Sequence, residues 1–306
     1  MIESGSGVAG VDAGAWQLPA ATALRIEVPA PDLRALVTEY YVLDSDPQVH
    51  AGAISYPLPS WPMLRFTLTP GPVSLRIGPR RYDPVPVAAL WGTTTRAMQT
   101  TTYGGVTVGV GITALGWSRL FTRGADKVRD QVVPLDTLMP PAAVEALVEQ
   151  LRAADLVTDL TPILDTFIRA QMLPPTPHDQ AIRSLIEVIN DEQTEDIASA
   201  CDRLGLSPAA LRRLSVRYFG YPPKVLLVRA RFMRSLVRMM LAGGEADYAN
   251  IAPTYFDKSH FLRDARRFLD TTPRRFIQRN NPYVLAIMRA RRDVARAAAD
   301  ASVTKR

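Results

Sequence analysis

The period of hydrophobic and polar positions changes twice along this chain. Residues 1 to about 23 show no period; Gly, Ala and Ser dominate, and the stretch reads as a flexible arm. From 24 to about 132 the apolar residues fall in short runs that alternate with polar ones or are β-branched. Examples are Ala53-Ile54-Ser55-Tyr56, Met63-Leu64-Arg65-Phe66-Thr67-Leu68 and Val73-Ser74-Leu75-Arg76-Ile77. Pro and Gly punctuate these runs at Pro57, Pro59, Pro62, Pro70-Gly71-Pro72 and Gly78-Pro79. Gly105 to Ile112 reads as a further strand, its glycines marking a bulge or a close approach. Short strands at this spacing favour a β-sandwich or barrel.

Beyond them the spacing becomes helical. One amphipathic helix is expected at about 141–153, with Val144, Leu147, Val148 and Leu151 on one face. A second is expected at about 160–172, with Ile163, Leu164, Phe167 and Ile168. Leu173-Pro174-Pro175-Thr176-Pro177 cannot continue a helix and reads as a linker at 174–177. Helices are then expected at about 178–190, 194–204, 207–219, 222–242, 246–252, 257–268 and 273–280, with a basic helical tail at 284–306. The fold class is therefore α+β multidomain: a flexible arm (1–23), a β-rich domain ending in two helices (24–173), the linker, and an all-α domain (178–283) followed by the tail.

Charge sharpens this division. The 306 residues carry a net +6. From His178 onward, 23 Lys and Arg face 14 Asp and Glu, a net +9; the earlier residues hold 13 against 16, a net −3. A basic module joined to a mildly acidic one places contact with a polyanion in the C-terminal part. No apolar run approaches the ~20 residues that span a bilayer. The N-terminus has neither a basic n-region nor an apolar h-region. With the single Cys201 excluding an internal disulfide framework, the expected address is cytoplasmic, without membrane contact.

The strongest local signal is Ile197 to Leu211. Gly205 suits a left-handed helix end, Ser207 an N-cap, and Pro208 the first helical position. Two helices joined by so short a turn form a helix-turn-helix. On the second helix Leu211, Leu214 and Tyr218 share a core face. Ala209, Arg212, Arg213 and Arg217 lie elsewhere, positioned for bases or phosphates or simply for solvent. Cys201, four residues before the glycine, is expected to pack where the two helices approach.

From about 178 to 281 the chain resembles the DNA-binding domain of AraC/XylS-type transcription regulators. Gly-Leu-Ser-Pro at 205–208, Leu-Arg-Arg-Leu at 211–214, Tyr-Phe-Gly-Tyr-Pro-Pro-Lys at 218–224 and Arg-Ala-Arg-Phe at 229–232 carry the likeness. So do Tyr-Phe-Asp-Lys-Ser-His-Phe-Leu-Arg-Asp at 255–264, Arg-Arg-Phe at 266–268 and Thr-Pro-Arg-Arg-Phe at 272–276. The resemblance implies two helix-turn-helix units joined by a long helix at about 222–242. The first would read bases through Ala209, Arg212 and Arg213, the second through Lys258, Ser259, Leu262 and Arg263. Arg217 and Arg266 would hold phosphate, and His260 is as suited to solvent or backbone as to a base. Three departures stand out: Ser215 and Ala265 replace a core Phe, Pro253-Thr254 occupies a turn where Gly is usual, and Asp270 stands where Gly ends a helix. Losing a core aromatic costs ~3–5 kcal/mol if nothing refills the space.

Gly109 to Trp117 and Asp130 to Asp136 look like the cupin-like sensor domain that precedes this reader in one subgroup of the family. That likeness implies a small-molecule effector, dimerisation, or both. The family would add promoter or operator DNA, RNA polymerase and a homodimeric partner. For an effector pocket the candidates are Arg65, Arg76, Trp91, Arg96 and Trp117, with Trp61 and Tyr103; the arginines favour an anion. Three histidines and one cysteine cannot build a His-rich metal site. No phosphate loop or Ser/His/Asp arrangement is suggested, so neither a cofactor nor an enzyme activity is expected. The alternatives are a small-molecule-binding protein or enzyme that has lost DNA readout, and a partner-protein adaptor.

Overall fold

The computed structural model describes all residues except 69–70, 195, 243–247, 249–250, 253–254, 256, 280–281 and 305–306. An N-terminal β-sheet domain is followed by a C-terminal helical domain. The first sheet has six antiparallel strands in the order β1 (Thr22–Glu27), β2 (Val37–Ser45), β9 (Gly105–Ile112), β4 (Met63–Thr67), β7 (Ala88–Trp91) and β10 (Val132–Pro134). The second has four, in the order β3 (Ala53–Ser55), β8 (Met98–Thr102), β5 (Ser74–Ile77) and β6 (Arg80–Tyr82). A single helical turn, α1 (Pro47–His50), follows β2.

The period-2 alternation explains how the large sheet serves two masters. Tyr40 and Val42 of β2, Leu64 and Phe66 of β4, and Val108, Val110 and Ile112 of β9 point into the main core. Their neighbours Tyr41, Leu43, Met63, Arg65, Thr67, Thr107 and Gly111 line a cavity on the other face. The glycines of β9 mark close approach. At Gly109 a Cβ would lie 1.9 Å from Cε1 of Tyr41, whose ring crosses the strand there.

Helix α2 (Ala114–Leu120) leaves β9 and lies under the first helices of the C-terminal domain. Thr113 caps it by accepting from the Gly116 N–H at 2.9 Å. Its Trp117 is fully buried and donates from Nε1 to the Arg123 carbonyl at 2.8 Å. Gly116 is required by contact: a Cβ would sit 2.0 Å from the Leu36 carbonyl oxygen. Helices α3 (Pro141–Ala153) and α4 (Leu160–Ala170) bury the expected stripes in the same core; only Ile163 stays at its margin.

The helical part comprises α5 (Asp179–Asn190), α6 (Ile197–Leu204), α7 (Pro208–Phe219), α8 (Pro223–Leu241), α9 (Lys258–Leu269), α10 (Pro273–Gln278) and α11 (Pro282–Thr304). Most of the helix expected at 246–252, and the turn at Pro253-Thr254, lie outside the described residues.

Both ends of the β-rich domain are tied down. Residues 1–23 are not a free arm. Gly5 bridges Arg25 in parallel register, the Gly7 N–H donates to Glu27 Oε2 at 2.7 Å, and Trp16 is fully buried with Leu24 and Ile26. The segment adds to the edge of β1 mainly through backbone bonds, so it leaves no hydrophobic period. Nor is the proline stretch a loose linker. Leu173 exchanges hydrogen bonds with Arg119, at 2.6 Å to its carbonyl and 2.8 Å from its Nε, and Arg119 lies 3.8 Å from Asp179 of α5. The prolines end α4, but packing runs straight across them: one apolar core holds the large sheet, α2 to α7 and the start of α8.

Gly116→Ala and Gly109→Ala separate backbone from side-chain contact. At Gly116 the added methyl meets a carbonyl that cannot move away, and a loss of about 3 kcal/mol is expected. At Gly109 it meets a ring that can rotate into the cavity, and the loss should be under about 1.5 kcal/mol. Urea unfolding of both variants checks the order; equal losses would contradict it.

Candidate DNA-reading surface and interdomain cavity

The first helix-turn-helix forms as its sequence dictates. Asp196 caps α6 by accepting from the Ser199 N–H at 2.8 Å, and that bond holds its carboxyl below the usual range. Gly205 ends α6 at φ 60°, and Ser207 caps α7 through the Ala210 N–H at 3.3 Å. Ala200 and Cys201 of α6 share the core with Leu211 and Leu214 of α7. Ala209, Arg212, Arg213 and Arg217 are exposed. Among the described residues none of these three arginines has a carboxylate partner.

In the second unit Asp257 caps α9 through the His260 N–H at 2.6 Å. Thr272 caps α10 through the Arg275 N–H at 3.2 Å. Lys258, Ser259, Arg263, Arg266 and Arg267 are exposed, while Leu262 is half-buried. Lys258 Nζ lies 3.8 Å above the Tyr248 ring. His260 turns away from the reading face: its Nε2 is 3.2 Å from Arg231 Nη2 on α8, and its ring meets Tyr255 edge-on. Arg231 also stacks over Tyr255 at 4.3 Å and approaches Asp264 at 3.6 Å, and the Tyr255 hydroxyl donates to Asp264 at 2.9 Å. Burial and the Asp264 charge raise the Tyr255 pKa above its ordinary value.

Ser215 is fully buried and donates from Oγ to the Tyr221 carbonyl at 2.5 Å. Nearby, Phe219 meets Trp61 of the sensor edge-on, ring centroids 6.2 Å apart. Ala265 is buried in the same core as Phe232 of α8, whose ring lies 5.4 Å from Phe261 and 5.2 Å from Phe268. Asp270 adopts the left-handed conformation expected of a glycine, φ 58°, at the end of α9.

The residues after α7 join this unit to the sensor. The Tyr221 hydroxyl donates to Asp130 Oδ2 at 2.5 Å, and the other oxygen of Asp130 accepts from the Thr95 N–H at 2.7 Å. Two residues into α8 beyond Leu227, Arg229 donates from Nε to the Thr94 carbonyl at 3.1 Å.

Between the two sheets, α8 and α11 lies a cavity of about 740 Å³. Its walls are mostly apolar, but Arg65, Arg229, Arg234, Arg291 and Arg292 line it, with Glu39 the one carboxylate among the lining residues. Arg65 of β4 stacks over Trp91 at 3.8 Å; Arg229 of α8 stacks over Trp61 at 4.5 Å. Among the described residues neither has a carboxylate partner. Burial lowers both pKa values, that of Arg229 to about 10. A buried cation is costly unless it meets an anion. Of the residues expected in a pocket, Arg65, Trp91 and Trp61 are here. Arg76 is outside, bonded to Gln99 at 2.8 Å; Arg96 is exposed beside Gly78; Trp117 belongs to the core, and Tyr103 is exposed beside Gly71. Those four side chains face outward or coreward, which sequence period alone cannot reveal without knowing the partner layer. Arg229 was missed as a pocket residue because it sits in the helical half of the sequence.

No protein-family model matches the chain, and no curated protein does. Its structural neighbours are ToxT and the AraC-like transcriptional activator CuxR. ToxT from Vibrio cholerae O395 is 12% identical over 74% of this chain and 93% of that one, with a TM-score of 0.42. A second ToxT structure, bound to (E)-4-(8-methylnaphthalen-1-yl)but-3-enoic acid, is 12% identical over 80% and 97%, TM-score 0.44. CuxR is 8% identical over 67% and 83%, TM-score 0.24. Among the described residues no helix is long and apolar enough to cross a membrane.

Asp270→Gly relieves the left-handed strain at the end of α9, and a gain of about 1 kcal/mol in unfolding free energy is expected. Thermal unfolding monitored by circular dichroism measures it. No gain would mean that the Asp270 side chain stabilises this turn.

Proposed function

We propose that this chain is a sequence-specific, DNA-binding transcription regulator of the AraC/XylS type, controlled by a small anionic effector bound in the interdomain cavity. The observation that carries the DNA reading is the pair of capped helices α7 and α9. Each is anchored in a core on one side and presents exposed, unpaired cations on the other. Arg212, Arg213, Lys258 and Arg263, with Ala209, Ser259 and Leu262, are the base-reading set; Arg217 and Arg266 hold phosphate.

The effector reading rests on Arg65 and Arg229. Two cations stacked on tryptophans, deep in a mostly apolar cavity, call for a ligand with an apolar body and an anionic end. A ligand held between sensor and helical domain biases how the readers are arranged.

Selection from random oligonucleotides should enrich a split motif with two blocks about one helical turn apart. Arg212→Ala should lose ~1–3 kcal/mol of discrimination at one position of one block. Arg217→Ala should weaken all sequences alike and lower the salt slope by about 1. Enrichment of nothing, with or without effector, would sink the reading.

For the cavity, decane-1-sulfonate is a suitable probe. Calorimetry should detect binding to the intact chain and at least tenfold weaker binding to Arg229→Met. Removing the buried charge offsets part of the hydrogen bond lost to the Thr94 carbonyl, so that variant should lose no more than about 1.5 kcal/mol of stability and remain folded for the titration. Equal affinity in both proteins would move the effector site elsewhere.

A further inference from the structure

The molecule has two apolar bodies, and the boundary between them is not the one that the linker suggests. The first helix-turn-helix shares a single core with the sensor, continuous as far as Leu226 and Leu227 of α8. The second unit has its own core, built on Phe232, Leu236 and Met239 of α8, Phe261, Ala265 and Phe268 of α9, Phe276 of α10 and Val284 of α11. The cavity lies between the two bodies, and α8 crosses it with Arg229, Ala230 and Met233. Beyond its rim they touch directly, where Tyr56, Leu58 and Ala97 pack on the second core, the Ala97 N–H donates to the Phe268 carbonyl at 2.7 Å and Arg279 stacks over Tyr56 at 4.4 Å.

Helix α11 then returns over the cavity to the sensor. Ala286, Ala290 and Val294, four residues apart on one face, are buried. Ala290 and Val294 pack with Trp16, Leu24, Ile26, Tyr41 and Met63. The two alanines let the helix lie close to the sheet edge. Three polar contacts fix its register: Arg291 pairs with Glu39, Arg289 donates to the Trp16 carbonyl at 3.4 Å, and the Tyr283 hydroxyl meets His50 Nδ1. Tyr283, Ile287, Met288 and Arg291 of this helix form one wall of the cavity.

We propose that α11 is a strap that holds the second helix-turn-helix unit to the sensor, and that an amphiphilic anion in the cavity tightens it. The sign follows from placement. A ligand touching both the sheet and the strap binds the strapped arrangement better than the open one, so binding and strapping reinforce each other by the same factor. The first reader stays fixed to the sensor throughout; the second is set relative to it. The strap itself stands on the packing of α11, whereas its coupling to a ligand and to DNA rests on the function proposed above.

Hydrogen exchange on the full-length chain tests this without DNA. Ala290→Arg puts a guanidinium into a fully buried site, and exchange should rise at least tenfold in 282–298 and 13–27 while 208–219 is unchanged. Decane-1-sulfonate should slow exchange in 282–298 of the parent protein, and its affinity should fall at least tenfold in Ala290→Arg. Arg291→Glu is the milder variant. It should loosen the same segments, and Glu39→Arg added to it should restore them. Unprotected exchange of 282–298 in the parent, or a loosening of 208–219 equal to that of the strap, would overturn the strap. A probe that binds without protecting 282–298, or does not bind at all, would overturn the coupling and leave the strap. DNA selection, scored separately, decides the regulator reading.

Discussion

The structure depends on one continuous apolar contact, α2 pressed between the large sheet and the first helix-turn-helix. Leu115, Trp117, Leu120 and Phe121 lie in the same core as Val110 and Ile112 behind them and as Ile182, Leu211 and Tyr218 in front. Burial of large aromatic and aliphatic side chains stabilises by about 1.5–3 kcal/mol each. A layer shared by two domains therefore ties their stabilities together. The polar joint of Tyr221, Asp130, Thr95 and Arg229 sits at the rim of this layer and sets its orientation. A reader held in this way cannot swing freely, so any rearrangement must fall on what lies beyond Leu227.

That constraint also shapes the cavity. The large sheet gives its bulky side chains to α2, α3 and α4 on one face. On the other, β9 offers Gly105, Gly109 and Gly111 between its larger residues. A strand with few side chains on one face leaves room, and the second sheet, α8 and α11 enclose that room instead of filling it. Arg65 stands there half-buried and Arg229 buried, and among the described residues neither forms an ion pair with a carboxylate. Their stacking on Trp61 and Trp91 lowers the cost of the charge without cancelling it. The same Trp61 that stacks on Arg229 also meets Phe219 at the end of α7.

How much of this is legible in the sequence follows from what each signal measures. β9 and α7 are readable because period, caps and glycines are local: Gly105 to Ile112 and Pro208 to Phe219 form over the expected residues. The core roles of Val144, Leu147, Val148 and Leu151 are readable for the same reason. The order of the N-terminal segment is not, because Gly5 and Gly7 act through their backbone groups. The pocket is half legible. Arg65 and Trp91 belong to a sheet whose faces can be guessed, but Arg76 lies on the other sheet, and Trp117 is claimed by the core. Arg229 enters from a helix more than a hundred residues away, so only a fold can place it beside Trp61.

The basic balance of the C-terminal part is subject to the same distinction. Many of its cations serve the protein itself. Arg203 pairs with Asp191, Arg238 with Glu192, Arg231 with Asp264 and Arg291 with Glu39, while Arg229 turns into the cavity. Among the described residues, the cations of α7 and α9 that are exposed and form no ion pair with a carboxylate are Arg212, Arg213, Arg217, Lys258, Arg263, Arg266 and Arg267. Net charge thus points to the right half of the chain for a reason only partly connected with a polyanion. What singles out the two helices is that, among the described residues, their exposed arginines form no ion pair, on faces opposite to Leu211 and Leu214 in one and to Phe261 and Phe268 in the other. An exposed arginine that the fold does not use is inexpensive to keep only in water, and it remains available there for a phosphate or a base edge.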